Sequence, residues 1–184
     1  AAELNVKAVA AGGTPADLQA AGRMMDGGPA SSVFLMGVIG VSREYPDMNG
    51  LRSLLNDQGR QAEAVLADRC IEEGAIVYPF RRISDFTDVP NPLDDPRVQT
   101  FFQELKLGGA APTAPVYLYH ARFDEGMPYA AAEQLARDWC AGGSTVWFEG
   151  EQVAEHLSLA VTEVPEVLDY FAARFADQPA PSNC

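Results

Sequence analysis

Two ionisable residues stand where a parallel sheet would collect its chemistry. Asp124 follows the segment Pro115 to His120 (PVYLYH), whose β-branched and aromatic residues predict a strand. His156 follows a second predicted strand, Ser144 to Glu149 (STVWFE), after the polar loop Gly150 to Glu155. In open α/β sheets, functional groups gather beyond the carboxyl ends of strands. The acid and the histidine are 32 positions apart, room for one helix and one strand. In a parallel sheet both loops then emerge side by side at the same edge. A carboxylate beside an imidazole fixes the ring's tautomer and stabilises the imidazolium. Such a pair activates a serine hydroxyl. Plainer readings stay open. Asp124-Glu125 also fits a solvated turn ahead of a helix, because acids are favoured near helix N-termini. A lone histidine after a strand is commonly a satisfied surface or core residue.

The elements that must hold this pair are legible in outline. Pro128 to Cys140 predicts a helix, with proline near its first turn and Gly142-Gly143 as its stop. Leu157 to Phe175 predicts a mostly helical stretch with an apolar stripe of Leu159, Val164, Val167, Leu168, Phe171 and Phe175. Strand, helix, strand, helix is the grammar of a parallel sheet covered by helices. Further upstream, Leu4 to Ala11 predicts a short buried strand, broken by Gly12-Gly13-Thr14-Pro15. Pro29 to Arg43, Asn49 to Asn56, Gln61 to Cys70 and Arg97 to Leu107 have helical character, and Ile83 to Pro96 predicts a loop. Three strands make a small sheet, whose outer member is expected to present open backbone groups.

A nucleophile is missing from this pattern. Of the eight serines, only Ser42 and Ser144 have glycine two places before, and neither has glycine two places after. The G-x-S-x-G elbow is therefore absent. His120 reads as structural or pocket-lining. Met24, Met25, Phe34, Leu35 and Met36 fit either a core or a lipid-facing surface. Gly12-Gly13 is too short a motif to indicate a phosphate cradle.

Net charge is −13, from 26 acidic and 13 basic residues, which makes nucleic acid and anionic membrane surfaces poor partners. No apolar run reaches the roughly 18 residues of a membrane span, and no signal peptide is evident at Ala1. A processed or truncated N-terminus is the expectation. The cysteines Cys70, Cys140 and Cys184 lack CxxC spacing, so no metal site is expected. A terminal cysteine on the tail Pro-Ala-Pro-Ser-Asn-Cys suggests that a Cys140–Cys184 disulfide pins the tail, implying an oxidising compartment. Cys70 is then left either to pair with another chain or to remain a buried thiol.

The segment APVYLYHARFDEGMPYAAAEQLARDWCAGGSTVWFEGEQVAEH resembles the end of the secretory lipase family. LNVKAVAAGGTPADL, GVSREYPDMNGLRSLLNDQG and FTDVPNPLDDP are similar to earlier parts of that family, in order. The resemblance implies the C-terminal part of an α/β-hydrolase fold, a parallel sheet flanked by helices with an inserted helical cap. Residues 1–13 and 110–184 would belong to the hydrolase core and 14–109 to the cap. It implies triad roles for Asp124 and His156, with Glu125 the weaker candidate for the acid. It puts Gly12 and Gly13 near the acyl-binding pocket. It implies a secreted carboxylic ester hydrolase acting on acylglycerols or related lipid esters, without cofactor or metal. The family's elbow serine precedes the LNVKAVAAGG strand, so the partner expected is an N-terminal segment or separate chain carrying that serine, with Cys70 available as a tether. The rival expectation is a non-catalytic lipid-binding or interaction protein derived from a hydrolase.

Overall fold

Three short strands pair in parallel in the order of the chain: Val9–Gly12 (β1), Val116–Ala121 (β2) and Val146–Glu151 (β3). They belong to a computed structural model that describes residues 4–45 and 50–184. The chain divides into two units, Ala1–Ala16 with Leu107–Cys184, and Asp17–Lys106.

In the first unit, β2 is central and buried along nearly its whole length, as expected of a strand covered on both faces. β1 is shorter than Leu4 to Ala11. Pairing starts at Val9, whose N–H donates to Pro115 O at 2.9 Å. Proline has no N–H to extend the ladder backwards. Between β2 and β3 runs helix α6 (Tyr129–Ala141). Its face buries Ala132, Leu135 and Ala136, the last two packed on Val116, Leu118, Val146 and Ala16. These positions recur at helical spacing, which makes the stripe. Gly143, at φ 88°, turns the chain out of the helix in a conformation that glycine adopts freely.

Cys140 and Cys184 are disulfide-bonded. The tail does more than end there. Asn183 N donates to Val146 O at 3.0 Å, Asn183 Oδ1 accepts from Phe148 N at 2.9 Å, and Asn183 Nδ2 donates to Phe148 O at 2.7 Å. One asparagine thus satisfies the outer edge of β3 as a neighbouring strand would. The expectation of an open edge fails on this side, because side-chain amides can complete a ladder. Among the described residues, no strand pairs with the outer edge of β1.

The other face of the sheet is aromatic. Tyr117 stacks on Trp147 at 4.2 Å between centroids and meets Tyr170 at 5.5 Å. The helical stretch here is two helices, α7 (His156–Thr162) and α8 (Val164–Phe175). Pro165 lies in the first turn of α8 and cannot donate the bond that would continue α7. Of the expected stripe only Leu159 is buried, whereas Leu168 and Phe175 are exposed. What α8 buries is Tyr170 and Arg174, because the aromatic sheet face selects that side of the helix.

The second unit is helical: α1 (Leu18–Met25), α2 (Ser31–Glu44), α3 (Asp57–Leu66), α4 (Ile71–Ala75) and α5 (Pro96–Leu105). Asp17 and Asn56 cap α1 and α3 through their side chains. Leu35, Ile39, Ala62, Leu66 and Phe86 form its core. Met25 and Phe34 are also buried, Met36 packs against that core, and Met24 is exposed. The Ile83 to Pro96 loop contains two single 3-10 turns, Ile83–Phe86 and Pro92–Asp94. Of the stretch expected to be helical from Asn49 to Asn56, residue 49 lies outside the described residues, and the rest holds one 3-10 turn, Arg52–Leu54. Burial of Leu51, Leu54 and Leu55 is met by that turn without a longer helix. Among the described residues no helix is long and apolar enough to cross a membrane.

Candidate active site

Asp124 sits in the tight turn that follows β2, and His156 opens α7 after β3. The parallel pairing of β2 with β3 brings the two together, with Asp124 Oδ2 2.8 Å from His156 Nδ1. Asp124 is buried, and its other oxygen, Oδ1, accepts from Gly126 N at 2.9 Å and Met127 N at 2.6 Å. Burial pushes the carboxyl up. The hydrogen bonds from His156, Met127 and Gly126 outweigh it and hold the group below the ordinary carboxylate value. The hydrogen bond to Asp124 raises His156 above its usual 6.5, against the effect of burial and with help from the charges of Asp124, Glu125 and Glu155. With Nδ1–H donated to the acid, Nε2 is the nitrogen left to take a proton.

The backbone beneath the ring is held as firmly. Glu125 Oε2 accepts from His156 N at 3.2 Å. Glu155 caps α7, accepting from Leu157 N at 2.9 Å and Ser158 N at 2.8 Å, while Ser158 Oγ accepts from Glu155 N at 3.1 Å and donates to Glu155 O at 3.5 Å. Glu125 is thus no rival to Asp124 for the ring. The two adjacent acids hold different parts of one residue.

Gly12 and Gly13 lie against aromatic rings. A Cβ on Gly12 would collide with the Tyr119 ring. Gly13 has φ 55°, and a Cβ there would stand 2.9 Å from His156 Cε1. Gly12 is therefore required by the Tyr119 ring and Gly13 by the close approach of the β1 loop to the imidazole, contacts that spacing alone could not show. His120, fully buried, places Nε2 2.8 Å from Met127 O and 3.3 Å from Asp124 Oδ2.

The serines of this unit are engaged elsewhere. Ser144 Oγ donates to Pro112 O, Ser158 belongs to the α7 cap, and Ser182 Oγ donates to Val146 O. Ser42 is buried within α2 of the other unit. Among the described residues no group of three or more His, Cys, Asp or Glu is placed to hold a metal. Cys70 is exposed and forms no disulfide, contrary to the buried-thiol alternative; it stands at the N-terminal boundary of the short helix α4, where its side chain makes no capping bond.

The sequence profile of the secretory lipase family matches residues 1–183. The chain belongs to the secretory lipase family. A secreted triacylglycerol lipase of Malassezia furfur is 33% identical over 155 residues, covering 80% of this chain and 32% of that protein. A secreted triacylglycerol lipase of Malassezia globosa is 31% identical over 195 residues, covering 100% of this chain and 41% of that protein. The crystal structure of Candida antarctica lipase A superimposes with a TM-score of 0.91 at 25% identity, over 100% of this chain and 45% of that one. The fold is accordingly the α/β-hydrolase fold of lipase A. This family member spans about a third to a half of the length of the relatives it matches. The family is a secretory one, and the protein is extracellular, where the Cys140–Cys184 disulfide persists.

Proposed function

We propose that this chain supplies the acid and the base of a Ser-Asp-His triad in a secreted lipase that hydrolyses acylglycerols or related lipid esters. The observation that carries this is the 2.8 Å contact between Asp124 Oδ2 and His156 Nδ1 at the carboxyl ends of adjacent parallel strands. His156 Nε2 takes the proton from the serine hydroxyl as the serine attacks the ester carbonyl. It then returns that proton to the departing alcohol. A water deprotonated by the same nitrogen releases the acid product. Asp124, held ionised, keeps the ring in the Nδ1–H tautomer and stabilises the imidazolium. The serine belongs to sequence outside residues 1–184, since those of the His156 unit are committed to other partners. Residues 1–13 and 110–184 act as the hydrolase core, 14–109 as a mainly helical cap, and Gly12-Gly13 as the part of the acyl site that borders the imidazole.

Labelling of the secreted protein with a fluorophosphonate, alongside assays on short- and long-chain esters, tests this. The expected result is ester turnover and one labelled serine peptide that maps outside residues 1–184, with labelling lost in His156→Ala. Labelling of Ser42, Ser144 or Ser158 would overturn the assignment of the nucleophile. Absence of both turnover and labelling would favour a lipid-binding protein without catalysis.

A further inference from the structure

His120 is one of two histidines in the chain and is fully buried on β2, four residues before Asp124. Its Nε2 lies 2.8 Å from the Met127 carbonyl. A carbonyl only accepts, so Nε2 bears a hydrogen and donates it. The same nitrogen is 3.3 Å from Asp124 Oδ2, the oxygen that meets His156. Met127 is therefore gripped at both ends of the residue: its N–H is on Asp124 Oδ1 and its carbonyl is on His120. His120 Nδ1 is buried with no partner among the described residues, and the ring sits edge-on to Tyr129. A buried ring nitrogen left without a partner is destabilising, and a leucine would fill the same core position without that loss. The loss needs a compensating use, and the turn beside it provides one.

We propose that His120 is a positioning residue for the triad acid. Its Nε2–H fixes the Met127 carbonyl, which closes the turn from Asp124 to Met127 on Oδ1 and leaves Oδ2 facing His156, with a second N–H edge close to that oxygen. The inference rests on the reading of Asp124 and His156 as acid and base, and the test separates the two.

The measurement is the NMR titration of the His156 imidazole in the secreted protein, compared among wild type, His120→Gln, His120→Leu and Asp124→Asn. The charged groups that face His156 are Asp124, Glu125 and Glu155, and none is altered by changing His120. Glutamine can place an N–H near the position of Nε2, whereas leucine cannot. In His120→Leu the His156 titration is expected to fall by about one unit, with the acid limb of kcat/KM moving by the same amount and KM unchanged. His120→Gln restores the wild-type titration. If His120→Leu lowers Tm while His156 titrates as in wild type, His120 only fills the core and the proposal is overturned. Should the leucine variant not fold, His120→Asn, whose amide is too short to reach Met127, makes the same comparison. If Asp124→Asn also leaves His156 unmoved, the acid–base reading itself has failed.

Discussion

Asp124 and Glu163 are both buried carboxylates of the same unit, one in the turn beyond β2 and the other on the sheet face packed by α8. Their surroundings differ in the supply of donors. Asp124 accepts from two backbone N–H groups and an imidazole, so both oxygens are satisfied. Glu163 Oε2 meets the Tyr117 hydroxyl at 2.7 Å, but that hydroxyl also lies 3.0 Å from Glu149 Oε2 and has one hydrogen to give. Burial pushes the Glu163 carboxyl up, and the charges of Glu151, Glu149 and Glu166 push it further against the Tyr117 hydrogen bond. Burial acts alike on the two groups, and the donors decide the outcome. The fold favours the charged form of Asp124 beside His156 and pushes Glu163 towards its neutral form.

Neutralising Asp124 is the largest way to break the contrast. Asp124→Asn is expected to cut kcat by about four orders of magnitude, and His156→Ala at least as much, with folding retained. Asparagine can present its amide to Nδ1 and impose the wrong tautomer. The pH profile sharpens the point. In the proposed mechanism catalysis needs unprotonated Nε2, so kcat/KM of the wild type is expected to fall as pH drops through the raised pKa of His156. The stability from the ion pair runs the other way. The His156 share is fully present below 6.5 and lost as pH rises through the raised value. The Asp124 share is present above 3.8 and lost as pH falls through its lowered value. Steady-state profiles and melting curves from pH 3 to 9 check both limbs. Loss of less than tenfold in Asp124→Asn would remove it from the triad.

The strand, helix, strand order and the loops bearing Asp124 and His156 were legible because parallel topology turns sequence order into spatial adjacency. The tail disulfide was legible from a cysteine on a proline-rich end. The contacts of Gly13, His120 and Asn183 were not. Each depends on where a side chain or backbone arrives from a distant part of the chain, and a glycine's reason is the atom that would strike its missing Cβ. The α8 stripe misled for a related cause: helical periodicity shows that a face is apolar, but Tyr117 and Trp147 decide which face the sheet receives.

A middle-sized effect separates charge from placement at Asp124's partner. Gly13→Ala changes no charge, yet puts a methyl 2.9 Å from His156 Cε1 on a backbone at φ 55°. A misplacement of about 1 Å at a catalytic group can cost on the order of 100-fold in rate. The expected outcome is a loss of that size in kcat, with the Asp124–His156 ion pair still visible in the imidazole titration. An unchanged kcat would mean that the ring tolerates displacement and that its geometry is less confined than the contact with Gly13 implies.

The smallest effect tests the other half of the comparison. A carboxyl whose folded pKa is raised gives its full stabilisation below the unfolded value of 4.5 and loses it as pH rises through the folded value. Above that raised value, where Glu163 is ionised, the fold bears an under-solvated charge. Glu163→Gln removes that charge, keeps the shape and retains an oxygen that accepts from Tyr117. It is expected to stabilise the protein at pH 7 by about 1 kcal/mol, seen as a Tm higher by a few degrees. The gain shrinks towards pH 4, where wild-type Glu163 is itself protonated. Ester hydrolysis stays at the wild-type level, because the substitution lies on the sheet face and leaves the donors of Asp124 in place. Tyr117→Phe supplies the control: it deprives Glu163 of its hydrogen and should destabilise at pH 7. If Glu163→Gln instead lowered Tm at pH 7, the charge would have to be satisfied in the fold. The two carboxylates would then differ in position alone and not in how the protein treats their protons.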